Sequence, residues 1–152
     1  MTMKKMTPLF TLLFLAACSP LPTATLHVIS SPDANAGRAL PLNVIPVDQA
    51  LAIQISAMPP EDWFTSDLKQ TTSSVVKRVI TGAQTEVVTL KRVNKRNDFL
   101  VVVDFFESEK VDSQRLLIGE KYYRTKNIYL LATKDNIQLI TKETFEKFQR
   151  TQ

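Results

Sequence analysis

The apolar residues of this chain occur mainly in short runs bounded by Ser, Asn, Asp, Gly or Pro, a pattern typical of β-strands. The run at 99–106 is almost continuously apolar, which predicts a central strand covered on both faces. Other candidate strands lie at 26–29, 40–44, 75–80, 85–90, 115–118, 128–133 and 137–140. This many short strands with little helix predict a mainly β domain, built as an antiparallel β-sandwich.

The pairing of two segments can be inferred from their residue types. The strand at 40–44 alternates apolar and polar positions, but Pro41 and Pro46 cannot donate hydrogen bonds, so it should lie at a sheet edge or contain a bulge. The segment 75–80 also admits a helical interpretation, because its apolar pairs recur four residues apart. Its β-branched residues, followed by Gly82 and the run at 85–90, favour two strands joined as a hairpin.

Helix is predicted in few places. A proline and two acidic residues suit the first turn of a short helix over 60–69. The tail at 142–149 predicts an amphipathic helix with Phe145 and Phe148 on one face. For residues 49–60 the pattern does not separate strand, helix and loop.

Residues 1–17 have the features of a secretory signal peptide, with a basic start and an apolar run at 9–17. That run is shorter than the roughly 20 residues needed to cross a bilayer. The sequence Leu15-Ala16-Ala17-Cys18 also resembles the bacterial lipobox, which implies cleavage between Ala17 and Cys18 and acylation of the Cys18 thiol. The alternative is an ordinary signal peptide with an unrelated cysteine nearby.

The lipobox interpretation divides the chain into three parts. Residues 1–17 form the signal peptide, 18–24 the lipidated cysteine and a proline-containing tether, and 25–152 a single periplasmic domain. Two or more acyl chains hold a protein stably in a membrane. Ser19 occupies the position where an aspartate commonly retains lipoproteins in the inner membrane, so the outer membrane is favoured.

Composition argues against several functions. The net charge of the 152-residue chain is +4, and loss of two lysines with the signal peptide leaves about +2, too little for a nucleic-acid-binding surface. With Cys18 acylated, no thiol remains for catalysis or metal binding. Three glycines and one histidine offer no phosphate-binding loop, no metal site, no cofactor site and no catalytic set. We therefore expect a protein that is not an enzyme, with His27 as a packing residue.

Basic residues cluster at Lys91-Arg92 and Lys95-Arg96, ahead of the strongest strand. A solvated turn is the ordinary interpretation of such a cluster, and contact with anionic lipid head groups is the alternative.

Several segments together resemble the type VI secretion outer-membrane lipoprotein family (TssJ/SciN-like). The matching features are a Pro-Asp…Gly-Arg loop and proline-containing strand at 31–44, a short aromatic helix at 62–68, and the late apolar strand at 99–106. The turn at 82–84 matches as well, although it lacks the proline that relatives have there. The resemblance covers residues 26 to about 140.

The resemblance implies a transthyretin-like antiparallel β-sandwich with one or two short helices, held by lipid at the periplasmic face of the outer membrane. It also implies that the loop after the first strand docks on the periplasmic domain of TssM, an inner-membrane secretion component. By position, the docking residues are Asp33, Ala34, Asn35, Ala36, Gly37, Arg38, Ala39, Leu40 and Pro41. The alternative is a pilotin-like accessory lipoprotein that binds and localises a secretin or another secretion subunit. A small periplasmic enzyme or ligand carrier is a third hypothesis, against which the side-chain composition weighs.

Overall fold

A computed structural model of the chain describes residues 23–93, 96, 98–108, 111–123 and 125–152. The expected signal peptide, the cleavage site at Ala17 and the lipidated Cys18 lie outside the described residues. The first strand begins at Thr23, inside the segment expected to be tether.

The described residues form eight strands and five short α-helical segments. The strands are β1 Thr23–Ser30, β2 Leu40–Val47, β3 Val76–Ile80, β4 Thr85–Lys91, β5 Asp98–Val103, β6 Arg115–Ile118, β7 Asn127–Ala132 and β8 Ile137–Ile140. The α-helices are α1 Gln49–Ser56, α2 Pro60–Thr65, α3 Asp67–Thr71, α4 Glu120–Tyr123 and α5 Lys142–Thr151. Short 3-10 turns cover Ala34–Gly37 and Val111–Gln114.

The strands form two four-stranded sheets, in the orders β4-β1-β7-β8 and β3-β2-β5-β6. Each adjacent pair is antiparallel except β1 and β7, which run parallel. The predicted β-sandwich is therefore confirmed, with one parallel pair inside it. The helical segments outnumber the one or two expected, but all of them are short.

Strand β5 shows why the core has more than two layers. Phe99, Val101 and Val103 are buried between the two sheets. Leu100 and Val102 point to the opposite face, where they pack against Trp63 and the other apolar residues of α1 and α2. β5 is thus central and covered on both faces, as the continuous apolar character of 99–106 predicts, although the strand ends at Val103.

Helix α5 covers part of the outer face of the other sheet. Phe145 is buried against Ile29 and Leu131, which confirms the amphipathic tail helix. On the same face the His27 ring stacks on Tyr129 with centroids 5.1 Å apart, and its Nε2 lies 3.0 Å from the Asn127 Oδ1. His27 is therefore a half-buried packing residue, as expected.

The segment after β2 is helical because its first turn is capped. The Asp48 carboxylate accepts a hydrogen bond from the Leu51 N–H at 2.9 Å, and Leu51 and Ile55, four residues apart, are buried on one face. The single helix predicted over 60–69 is instead two helices. They are separated at Ser66, whose hydroxyl accepts a hydrogen bond from the Lys69 N–H and caps α3.

The prediction that the proline-containing strand lies at a sheet edge or contains a bulge is wrong, since β2 lies between β3 and β5 and pairs with both in continuous register. The Pro41 carbonyl accepts a hydrogen bond from the Asp104 N–H, just past the last β2–β5 pair. In an antiparallel pair, the N–H and C=O of one residue face the same neighbouring strand. The missing N–H of Pro41 therefore faces β5, at the point where the β2–β5 ladder ends. Pro46 faces the other neighbour, β3, whose pairing with β2 stops at Val44. Both prolines therefore occupy positions where a central strand needs no donor.

The predicted hairpin at 75–90 is also wrong, although both of its strands exist. β3 pairs with β2 in one sheet and β4 pairs with β1 in the other, so residues 81–84 cross between the sheets. Ser30 holds this crossing: its hydroxyl donates to the Gly82 carbonyl at 2.6 Å and accepts from the Gln84 N–H at 3.1 Å. Gly82 has a φ of +64°, the left-handed conformation that a sharp reversal favours in glycine.

Candidate functional site

Different connections lie at the two ends of the sandwich. At one end, which we call the loop pole, lie the described residues of the connections 31–39, 81–84, 104–108, 111–114 and 133–136. At the other end, the tether pole, lie Thr23 at the start of β1, Asp48 after the end of β2, and the residues around the end of β4 and the start of β7. Seven residue steps along β1 separate Thr23 from Ser30, which corresponds to about 23 Å.

The expected docking loop lies at the loop pole and has an unusual backbone. Asn35, Ala36 and Gly37 have φ values of +52°, +54° and +77°. Glycine and asparagine tolerate this left-handed conformation, whereas an alanine there is strained. Arg38, after this curl, returns to extended backbone with φ −90° and ψ 163°.

Asn35 fixes this loop to the rest of the pole. Its side chain is 3% exposed, and its Nδ2 donates to the Ala39 carbonyl at 2.6 Å. Its Oδ1 accepts from the Phe106 N–H at 2.7 Å. One buried amide therefore joins the β1–β2 loop to the β5–β6 connection, so the two segments form a single surface.

The structure divides the nine expected docking residues into accessible and inaccessible ones. Ala34, Asn35 and Leu40 are buried, and Leu40 is part of the core between the sheets. Pro41 is half-buried. The exposed members are Asp33, Ala36, Gly37, Arg38 and Ala39. Only the exposed members can form contacts with a partner while the loop keeps this shape.

Phe106 completes the exposed surface and was missed by the sequence analysis. Its side chain is 57% exposed, and the Arg38 guanidinium carbon lies 3.3 Å from the ring centroid. This distance corresponds to a cation–π contact, which holds Arg38 flat against the loop pole. The apolar run at 99–106 carried no signal for it, because Phe106 lies in a turn past the end of β5, where the alternation of a strand no longer decides which side chain is exposed.

A shallow groove of about 440 Å³ runs beside this pair, and its lining includes Pro41, Glu61 and Asp104. Partial burial raises the pKa of the Asp104 carboxyl above its ordinary value, and the negative charge of Glu61 raises it further. Among the described residues of the loop-pole connections, five are acidic and two are basic. The surface around the exposed Phe106 and Arg38 is therefore mostly acidic.

The described residues offer little for catalysis. Among them, no group of three or more His, Cys, Asp or Glu side chains is placed to hold a metal ion. The space between the sheets is filled by apolar side chains such as Leu26, Val28 and Leu130. Within the same ranges, none of the helices has the length and apolar character needed to cross a bilayer.

No family model and no curated protein matches this sequence. Several solved structures do match its fold. A chain of a structure described as "Type VI membrane complex" aligns with a TM-score of 0.68 and 11% identity, covering 80% of this chain and 99% of that one. A chain of an enteroaggregative Escherichia coli (EAEC) structure, described as the type VI TssM C-terminal domain, gives a TM-score of 0.61, 10% identity, and coverage of 78% and 98%.

The type VI lipoprotein TssJ1 of Pseudomonas aeruginosa aligns with a TM-score of 0.55 and 11% identity, over 80% of this chain and 96% of that one. At such low identity the agreement concerns the fold. It spans nearly the whole of each matched chain, which covers the sandwich. This chain therefore has the TssJ-like β-sandwich fold of type VI secretion lipoproteins.

Proposed function

We propose that this chain is a lipoprotein of the outer membrane that anchors a type VI-like secretion complex by docking a periplasmic domain of an inner-membrane component. The observation that carries the proposal is the fold shared with a type VI lipoprotein over most of the chain. The lipobox at residues 15–18 supports the same role independently. The role is structural, and no catalytic step belongs to it.

The position of the strand ends fits an anchor. Acylation of Cys18 would hold the tether pole near the membrane, because only residues 18–22 precede β1. The loop pole is then at the far end of the sandwich and faces the periplasm. The acidic surface around Phe106 is therefore presented to whatever spans the envelope from the inner membrane.

The exposed side of the docking loop has the composition of a binding surface. Arginine and aromatic residues are enriched among the residues that dominate binding energy, and here Arg38 and Phe106 lie in contact. The loop is held in shape before binding by Asn35, which lowers the ordering cost of association.

The proposed partner is a TssM-like periplasmic domain. A chain of this fold occurs in a structure described as the TssM C-terminal domain, which supports the choice. The pilotin-like alternative requires a ligand groove between the sheets, and in the described residues apolar side chains fill that space. We therefore do not favour it.

The proposal is tested by capture of the TssM-like periplasmic domain on the acylated protein in detergent. Arg38→Glu should weaken the affinity about tenfold or more, because it removes a central contact of the interface. Asp33→Lys should weaken it as well. Lys147→Glu, an exposed charge reversal on α5, is the matched control and should bind normally. Unchanged capture in both loop variants would remove the loop from the interface.

A further inference from the structure

We propose that the tether pole rests directly on an anionic phospholipid surface, with Lys91 and Lys126 as its principal contacts. The inference rests on the proposed lipid anchor, since acylation is what would bring this end to the membrane. It adds a second, electrostatic attachment that fixes how the sandwich stands on the bilayer.

The sequence charge is strongly asymmetric between the two poles. In sequence, the tether-pole segments 47–49, 91–98 and 119–127 together contain seven lysines and arginines and three acidic residues. Among the described residues of the loop pole, acidic residues outnumber basic ones by five to two. A molecule with this polarity orients with its basic end toward a negative surface.

Two exposed lysines flank the strand that leaves the tether. Lys91 lies directly opposite Thr23 in the β1–β4 register. On the other side of β1, the Lys126 carbonyl accepts a hydrogen bond from the Thr25 N–H at 2.7 Å. Neighbouring strands lie about 4.8 Å apart, so the Cα atoms of the two lysines are roughly 10 Å apart. They lie on either side of Thr23, where the proposed lipid-bearing segment joins β1.

The acidic residues nearby do not cancel these lysines. The Glu120 carboxylate binds the Arg92 guanidinium at 2.7 Å, so each neutralises the other. Asp98 is half-buried at the start of β5, and the exposed Asp48 after β2 accepts a hydrogen bond from the Leu51 N–H as the cap of α1. Lys142 and Glu146 on α5 pair with each other at 3.3 Å, and Glu143 is an exposed acid at the first turn of the same helix. Lys91, Lys121 and Lys126 remain exposed to solvent.

Lys126 is the more informative of the two flanking lysines. Its φ is +61°, a left-handed conformation that glycine or asparagine adopts with less strain. The Thr125 hydroxyl supports this turn by donating to the Tyr122 carbonyl at 2.6 Å, and the Asn127 carbonyl lies 3.0 Å from the same oxygen. Folding alone would favour glycine at position 126. A lysine kept there at a cost in stability points to a use for its charge.

The tether is short enough for this contact. Five residue steps separate the acylated Cys18 from Thr23, so the tether spans at most about 18 Å when fully extended. Electrostatic attraction to the surface extends about 8–10 Å at physiological salt. The lysines therefore come within the range of the surface charge when the tether spans about half of its extended length.

The absence of other thiols in the acylated protein allows a direct test. A fluorophore is attached to Thr23→Cys at the tether pole or to Ala36→Cys at the loop pole, and acylation is confirmed by mass spectrometry. Each protein is placed in vesicles of phosphatidylcholine alone or with phosphatidylglycerol, both carrying a head-group quencher. The quenching is then measured at low and high salt.

We expect quenching at position 23 to be stronger in phosphatidylglycerol vesicles than in phosphatidylcholine vesicles, to fall at high salt, and to be weak at position 36. Each lysine should strengthen the association of the tether pole with the charged membrane surface about fivefold. The double variant Lys91→Gln with Lys126→Gly should therefore weaken this association about 25-fold and lower the quenching to the level seen in phosphatidylcholine vesicles. Lys126→Gly relieves backbone strain, so loss of folding would not explain this result. Lys134→Gln at the loop pole is the control and should change nothing.

The failure of this inference differs from failure of the proposed function. Quenching that is independent of lipid charge, or unaffected by the double lysine variant, would overturn the electrostatic contact while capture of the periplasmic domain persisted. A mature protein without acyl chains would contradict the proposed anchor and this inference together.

Discussion

At the scale of single residues, Asn35 does most to define the candidate site. It combines a left-handed backbone, a nearly complete burial and two side-chain hydrogen bonds to different segments. An aspartate would keep the acceptor for Phe106 but lose the donor to Ala39, and an alanine would lose both. The shape of the docking surface therefore depends on a residue that does not itself reach the surface.

We predict that Asn35→Ala lowers the free energy of unfolding by about 2–3 kcal/mol, because it leaves the buried partners of the amide without hydrogen bonds. Urea unfolding followed by circular dichroism measures this. Ala36→Gly in the same loop should act in the opposite direction and stabilise by about 0.5–1 kcal/mol, because glycine adopts the positive φ without strain. Equal unfolding midpoints for the two variants would contradict the role given to Asn35.

The sequence indicated part of this site and not the rest. The Asp-Ala-Asn-Ala-Gly-Arg composition predicted a loop correctly. It did not show that Asn35 and Leu40 would be buried, because burial there depends on contacts with Phe106 and the facing sheet, which are distant in sequence. Phe106 was taken as the end of an apolar strand, although the strand stops at Val103.

At the scale of elements, the strand positions followed from periodicity but their partners did not. Pairing between strands joins residues that are far apart in the chain, so a local sequence pattern does not show which strands pair. The errors at β2 and at the β3–β4 connection have this cause. A proline argues against a central strand only if its missing N–H faces a neighbouring strand that pairs at that residue. In β2, the missing N–H groups of Pro41 and Pro46 both lie where the pairing with the facing strand has ended.

The β2–β3 and β1–β4 registers explain why two charged side chains point inward at the edge of the sandwich. Arg78 on β3 lies opposite the core residue Leu42, and Glu86 on β4 lies opposite the core residue Val28. Their side chains meet across the gap between the sheets at 3.5 Å. Inward-pointing charges on edge strands discourage pairing with other chains.

We predict that replacing both with valine leaves the free energy of unfolding within about 1 kcal/mol, because partly exposed ion pairs stabilise little. The variant should nevertheless self-associate, since two apolar edge strands then lie side by side. Light scattering after size-exclusion chromatography measures this. Thr89→Val, which adds an apolar group to β4 without removing a charge, is the control. A double variant that stays as monomeric as the control would refute the edge argument.

At the scale of the whole molecule, the proposed function requires that the two poles lie at opposite ends of the sandwich. The sequence predicted a sandwich and a lipid attachment, and the fold agrees with type VI lipoproteins. That the chain enters the sandwich at one end and presents the loop at the other follows only from the strand directions. In the proposed anchor, this opposition places the lipid and the loop at opposite ends of the domain, as a bridge across the periplasm requires.

We propose that the loop pole, and not the side of the sandwich, contacts the inner-membrane component. A photo-crosslinking amino acid placed at Phe106 in living cells tests this contact, with Val87 as the comparison. Val87 is 51% exposed on the outer face of β4, away from both poles. We expect an adduct with the TssM-like periplasmic domain from position 106 and none from position 87. An adduct from position 87 alone would contradict the proposed contact.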